Sequence, residues 1–70
     1  MRYIAYYVVT PKAGRKIVHY LSAGGYTGQE AMAMRYRTKE TAMQAASSAA
    51  AAMRTELRQD VPFYVQEVER

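Results

Sequence analysis

Residues Thr38 to Gln59 read TKETAMQAASSAAAAMRTELRQ, and the reading of this stretch decides the fold. It is the only segment long enough for a substantial helix. Ala42, Ala46, Ala49, Met53 and Leu57 recur at steps of three and four, which places them on one helical face. Most of that face is alanine, so the layer beneath must come close and bring the bulk itself. Thr38 is the expected N-cap, with Thr41 rather than glutamate at N3, so the capping box is incomplete. Glu40 suits the positive end of the helix dipole and Arg58 the negative end. Asp60-Val61-Pro62 stops the helix, because the residue before proline is pushed out of the α region.

Working outward, the bulk comes as tyrosine, valine and isoleucine at strand-like spacing. Arg2 to Thr10 reads as a strand that is apolar on both alternating sets. Ile4, Tyr6 and Val8 form one set; Tyr3, Ala5, Tyr7 and Val9 form the other. If the first set faces the helix, Tyr3, Tyr7 and Tyr20 are on the open side; the pattern alone does not decide which face is open, since the first strand is apolar on both. Thr10 to Arg15 is turn chemistry, with Pro11 and Gly14 as its punctuation. Lys16 to Leu21 is a second strand, antiparallel to the first across this short connection. Ser22 to Gly28 reads as a flexible loop, and Gln29 to Ala33 as about one helical turn. Met34 to Arg37 reads as a short third strand with Met34 and Tyr36 inward. Phe63 to Glu69 is the last strand, expected to return beside the first. The expected fold is therefore α+β: one antiparallel sheet in the order β-β-(β)-α-β, with one long alanine-rich helix on one face. Residues 1–70 make a single domain with a small core.

Net charge is +4, unevenly spread. Arg2, Lys12, Arg15, Lys16, Arg35, Arg37 and Lys39 face only Glu30 in the front half. Glu56, Asp60, Glu67 and Glu69 outweigh Arg58 and Arg70 at the end. The asymmetry points to an anionic partner for the front half, or to a solubilising surface. The absence of cysteine excludes a disulfide framework and thiolate metal sites, and one histidine cannot build a multi-histidine site. No run approaches the ~18 apolar residues of a membrane span, and no signal-peptide pattern is visible. A cytoplasmic protein without cofactor, metal or membrane partner is expected.

The inventory does not support catalysis. Ser47 and Ser48 lie in the helix without a partner base, and His19 stands alone on a strand, where it reads as a half-buried sheet residue. Gly24 to Gly28 lacks the spacing and the Gly-Lys-Ser/Thr ending of a phosphate loop, though Tyr26 at its tip suits partner contact. The tyrosines carry more: Tyr3, Tyr7, Tyr20 and Tyr26, with Arg35 and Arg37, are the residue types favoured at protein hot spots. The same kind of face can stack bases. In that reading Arg2, Lys12, Arg15, Lys16, Arg35 and Arg37 would meet phosphates. The RNA-recognition signature is absent from the chain, and a protein partner is the preferred expectation. Self-association into a homodimer is a third, since so thin a fold leaves apolar surface uncovered.

At Tyr20-Leu21, at Ala31-Met32-Ala33-Met34-Arg35-Tyr36 and at Thr38-Lys39-Glu40-Thr41-Ala42, the chain resembles small uncharacterised proteins common in phage and prophage genomes. Their outline of hairpin, glycine loop, alanine-rich helix and terminal strand covers nearly all 70 residues, although its motifs are short; Thr41 departs from their usual second glutamate. The resemblance implies a protein that blocks a host protein or ribonucleoprotein machine, since the group includes some anti-CRISPR inhibitors of host defence. Tyr36 to Ala42 alone also resembles the strand-to-helix junction of phage-integrase arm-binding domains, which read DNA with a three-stranded sheet. The strand expected after the helix departs from that pattern.

Overall fold

The computed structural model describes residues 1–11 and 14–68. Five regular elements and one short 3-10 turn follow in chain order: β1 (Arg2–Val9), β2 (Ile17–Ser22), β3 (Gly25–Thr27), the turn Glu30–Met32, α1 (Lys39–Glu56) and β4 (Tyr64–Val68). All four strands join one antiparallel sheet in the order β3-β2-β1-β4. Helix α1 packs across β1 and β4. The α+β architecture is the one expected, and β4 pairs with β1 as foreseen, Ala5 standing opposite Val65.

The third strand lies elsewhere than expected. Gly25–Thr27, read as loop, pairs with β2 from Ser22↔Gly25 to Tyr20↔Thr27. Gly25 adopts φ 129°, a conformation only glycine reaches without strain, and this turns the chain back directly after Ser22. Met34–Arg37 is not a strand but a strap beside β1. Its tie there is one bridge, in which Tyr3 and Tyr36 exchange backbone hydrogen bonds of 2.9 and 2.8 Å. The Met34 N–H also donates to the Leu21 carbonyl at 2.9 Å. The expected inward pair divides accordingly: Tyr36 is half-buried, whereas Met34 is exposed.

Helix α1 begins where the sequence places it. Thr38 has extended dihedrals, and its hydroxyl accepts from the Thr41 N–H at 3.1 Å. Thr41 supplies a shorter substitute for the missing glutamate: its hydroxyl donates to the Thr38 carbonyl at 3.0 Å. Ala42, Ala46 and Met53 are buried on the sheet side. Ala42 and Ala5 have no exposed surface at all, which is the close approach of small side chains that an alanine face permits. Leu57, placed on the same face by its spacing, is instead 60% exposed, because it is the C-cap and the chain is already leaving the helix there.

The helix ends on Arg58 at φ 54°, the left-handed position that glycine normally takes. A side chain with a Cβ costs roughly 1–2 kcal/mol there. Arg58→Gly is expected to stabilise the domain by about 1 kcal/mol, raising Tm by about 4–8 °C for a chain of this size. A calorimetric scan reads the shift, and an unchanged or lower Tm contradicts the strained-terminus account.

Candidate interaction face of the sheet

The face of β1 that meets the helix is set by ring contacts. Tyr7 stacks on His19 at 5.0 Å between centroids and meets Phe63 at 5.1 Å and the edge of Tyr26 at 5.4 Å. Helix residue Glu56 stands close enough to Tyr26 to act on its phenol, and the end of β1 from Tyr7 to Thr10 lines a crevice with Met53, Leu57 and Pro62. Tyr3, Ala5, Tyr7 and Val9 therefore lie on the helix side, and with them Leu21, Tyr26, Phe63 and Val65. Of the two facings that the sequence left open, the one with Ile4, Tyr6 and Val8 under the helix, which put Tyr3 and Tyr7 on the open side, does not hold. The reason is bulk: Ala5 in the odd set gives the alanine face its close seat, which a row of Ile4, Tyr6 and Val8 would not.

The opposite face carries a different row. Tyr6 pairs in register with Tyr20 on one side and Tyr64 on the other. Their rings follow, Tyr6 lying 6.0 Å from Tyr20 and 5.7 Å from Tyr64, tilted by 53° and 34°. Strand alternation puts Arg2, Ile4, Val8, Val18, Gln66 and Val68 around this row. Ile4 is wholly buried, Tyr6 and Tyr20 are half-buried, and Tyr64 is 49% exposed. Lys16 shares a shallow hollow with Tyr6, Val8, Thr10 and Tyr64 at one end. Arg2 stands at the other end, roughly 25 Å away by strand rise. No carboxylate faces this side from the described strands, since Glu67 lies opposite Tyr3 on the helix side.

The residues singled out from sequence divide between the two faces. Tyr20 is on the open face. Tyr3 and Tyr7 are on the helix side, contrary to expectation, Tyr7 as the centre of the aromatic core. Tyr26 lies on the helix side at the β3 edge, 43% exposed. Arg35 is held by its own strap, its Nη1 donating to the Ala31 and Ala33 carbonyls at 3.4 Å each. Arg37 is exposed just ahead of the helix. Arg15 and Lys16 line a hollow with Val18 and Tyr20 at the far end of the sheet. Lys12 lies outside the described residues, as does Glu69 at the end of the last expected strand. The basic set thus does not form one patch. Comparison with protein-family models, curated proteins and solved structures finds no match.

Tyr6 and Tyr64 are the members of the row that sequence reasoning passed over. The hairpin held the signal: once Tyr20 pairs with Tyr6, the two must share a face. Burial raises the Tyr26 phenol above its ordinary pKa of 10.0, aided by Tyr7 and Glu56, and burial alone raises Tyr36. Both are kept neutral in the fold, so stability is full below the ordinary tyrosine value and declines as pH climbs past it. His19, in stacked contact with Tyr7, serves the aromatic core. No helix among the described residues is long and apolar enough to cross a membrane.

Proposed function

We propose that this is a non-enzymatic binding protein whose open sheet face docks on a protein of a larger host assembly and blocks it by occupancy. The Tyr20–Tyr6–Tyr64 row supports the reading. Its central ring, Tyr6, already packs against both of the others, so the row presents a nearly continuous apolar platform. Tyrosine buries large area at low entropic cost and is enriched at hot spots. Val8, Val18 and Val68 extend the platform, while Arg2 and Lys16 supply a charged rim. The resemblance to phage and prophage proteins, among them anti-CRISPR inhibitors, suggests a host defence or ribonucleoprotein machine as the target.

One observation favours a second reading, a single-stranded nucleic acid. The open face carries Arg2 and Lys16 and no opposing carboxylate from the described strands, and exposed tyrosine faces accept bases. Capture from host lysate separates the two. The wild-type chain is expected to retain one stoichiometric protein. Tyr20→Ser/Tyr64→Ser, shown by circular dichroism to be folded at the temperature of the capture, is expected to lose it. Equal retention by both proteins removes the open face from the account. Gel shifts with single-stranded DNA and RNA at two salt concentrations test the alternative, because phosphate contacts weaken steeply with salt.

A further inference from the structure

The backbone edge of β4 is not used by the tyrosine row, although Tyr64 borders both that row and a groove beside the edge. The strand order leaves β3 and β4 as the two edges. The β3 edge is only three residues long, whereas β4 offers five. Beside β4 on the helix side opens a groove of about 390 Å³, walled by Met43, Ala46, Ser47, Ala50, Phe63, Tyr64 and Val65, with Lys39 also on its rim. No β1 residue lines it, so it opens toward the free edge. Met43 in its wall is 53% exposed.

We propose that this edge and groove receive a second copy of the chain, β4 pairing antiparallel with its counterpart about a twofold axis through Gln66. Directly opposed residues of paired strands share a face. A twofold axis normal to the sheet keeps both helices on one side, which allows only registers centred on a residue. The register centred on Gln66 is the one that pairs all five strand residues. It sets Tyr64 opposite the second copy's Val68, Val65 opposite its Glu67, and the two Gln66 amides opposite each other. No like charges are opposed, which an edge strand evolved to repel its own kind would show.

The charges also complement one another. Val65 lines the same groove as Lys39, and the second copy's Glu67 stands opposite Val65 on that face. Each Lys39 thus comes within reach of the other copy's Glu67, twice over by symmetry. Among the described residues neither forms an ion pair; the one found there is Arg54–Asp60, at 3.8 Å on the exposed surface. Ser47 and Ala50 are small enough to let the two helices approach, with the Met43 side chains filling the grooves between them. The dimer joins the two sheets edge to edge, so that both tyrosine rows lie on one continuous face. This inference does not depend on what that face binds.

Sedimentation equilibrium across a dilution series tests it with the full chain, K39E, E67K and the double variant K39E/E67K. The wild type is expected to show a monomer–dimer equilibrium. Each single reversal should weaken it by about tenfold or more, by opposing like charges. The double variant should return it to near the wild-type value. Both positions are exposed, and thermal melts by circular dichroism confirm that each variant is folded. A monomer throughout the series, with its edge left for an extended peptide instead, overturns the proposal. So does a dimer that the single reversals leave untouched.

Discussion

Tyr7→Ala is expected to abolish the folded state or leave it barely populated. The ring is contacted by His19, Phe63 and Tyr26 at centroid distances of 5.0 to 5.4 Å, so one substitution empties the centre of the aromatic core. Tyr7 is half-buried but packs against three other rings; removing a core aromatic costs about 3–5 kcal/mol, and the low end applies here. A single core in a chain this short supplies about that much in total. Urea unfolding followed by far-ultraviolet circular dichroism reads the effect. A loss below about 1 kcal/mol would mean that Tyr7 is not under the helix and that the two sheet faces are exchanged.

Ile4→Ala is the second large effect, and it arises on the other face. Among the described residues Ile4 is the one large side chain with no exposed surface, although it points away from the helix. It is flanked by Arg2 and Tyr6 along β1 and stands opposite Gln66 on β4. Truncating a fully buried isoleucine to alanine costs about 2–5 kcal/mol through lost transfer energy and the cavity left behind. The same denaturant titration measures it, and a cost under 1 kcal/mol would show that Ile4 is solvated. The loss would also unseat the neighbouring Tyr6, since the row rests on the same strand face.

These two residues show where sequence reasoning succeeds and where it stops. The start and body of the helix were legible because their signals are local, Thr38 capping and alanine propagating; its end was not, since the chain leaves the helix at Leu57 and Arg58, before the expected stop at Asp60-Val61-Pro62. The pairing of β4 with β1 followed from a helix that must return the chain across the sheet. The facing of β1 was not legible, because Ile4, Tyr6 and Val8 are as apolar as Tyr3, Tyr7 and Val9. Only tertiary packing distinguishes them, through the small Ala5 that seats Ala42 and Ala46. The strand at Gly25–Thr27 was hidden for another reason. Its glycines signal a loop by propensity, yet Gly25 is the residue whose positive φ brings Tyr26 and Thr27 into register with β2. Met34–Arg37 carried the alternating pattern of a strand, but its tie to β1 is the single bridge of Tyr36 to Tyr3. The candidate site inherited the facing error, which moved attention to Tyr3 and Tyr7 and away from Tyr6 and Tyr64.

Amide and aromatic chemical shifts of the isotopically labelled chain, recorded before and after addition of the captured partner, test the central claim most directly. Perturbations concentrated at Tyr6, Val18, Tyr20, Tyr64 and Gln66, with α1 and the Tyr7 cluster unmoved, are the predicted result. Perturbations concentrated on α1 or around Tyr26, with the Tyr20–Tyr6–Tyr64 row silent, would contradict it.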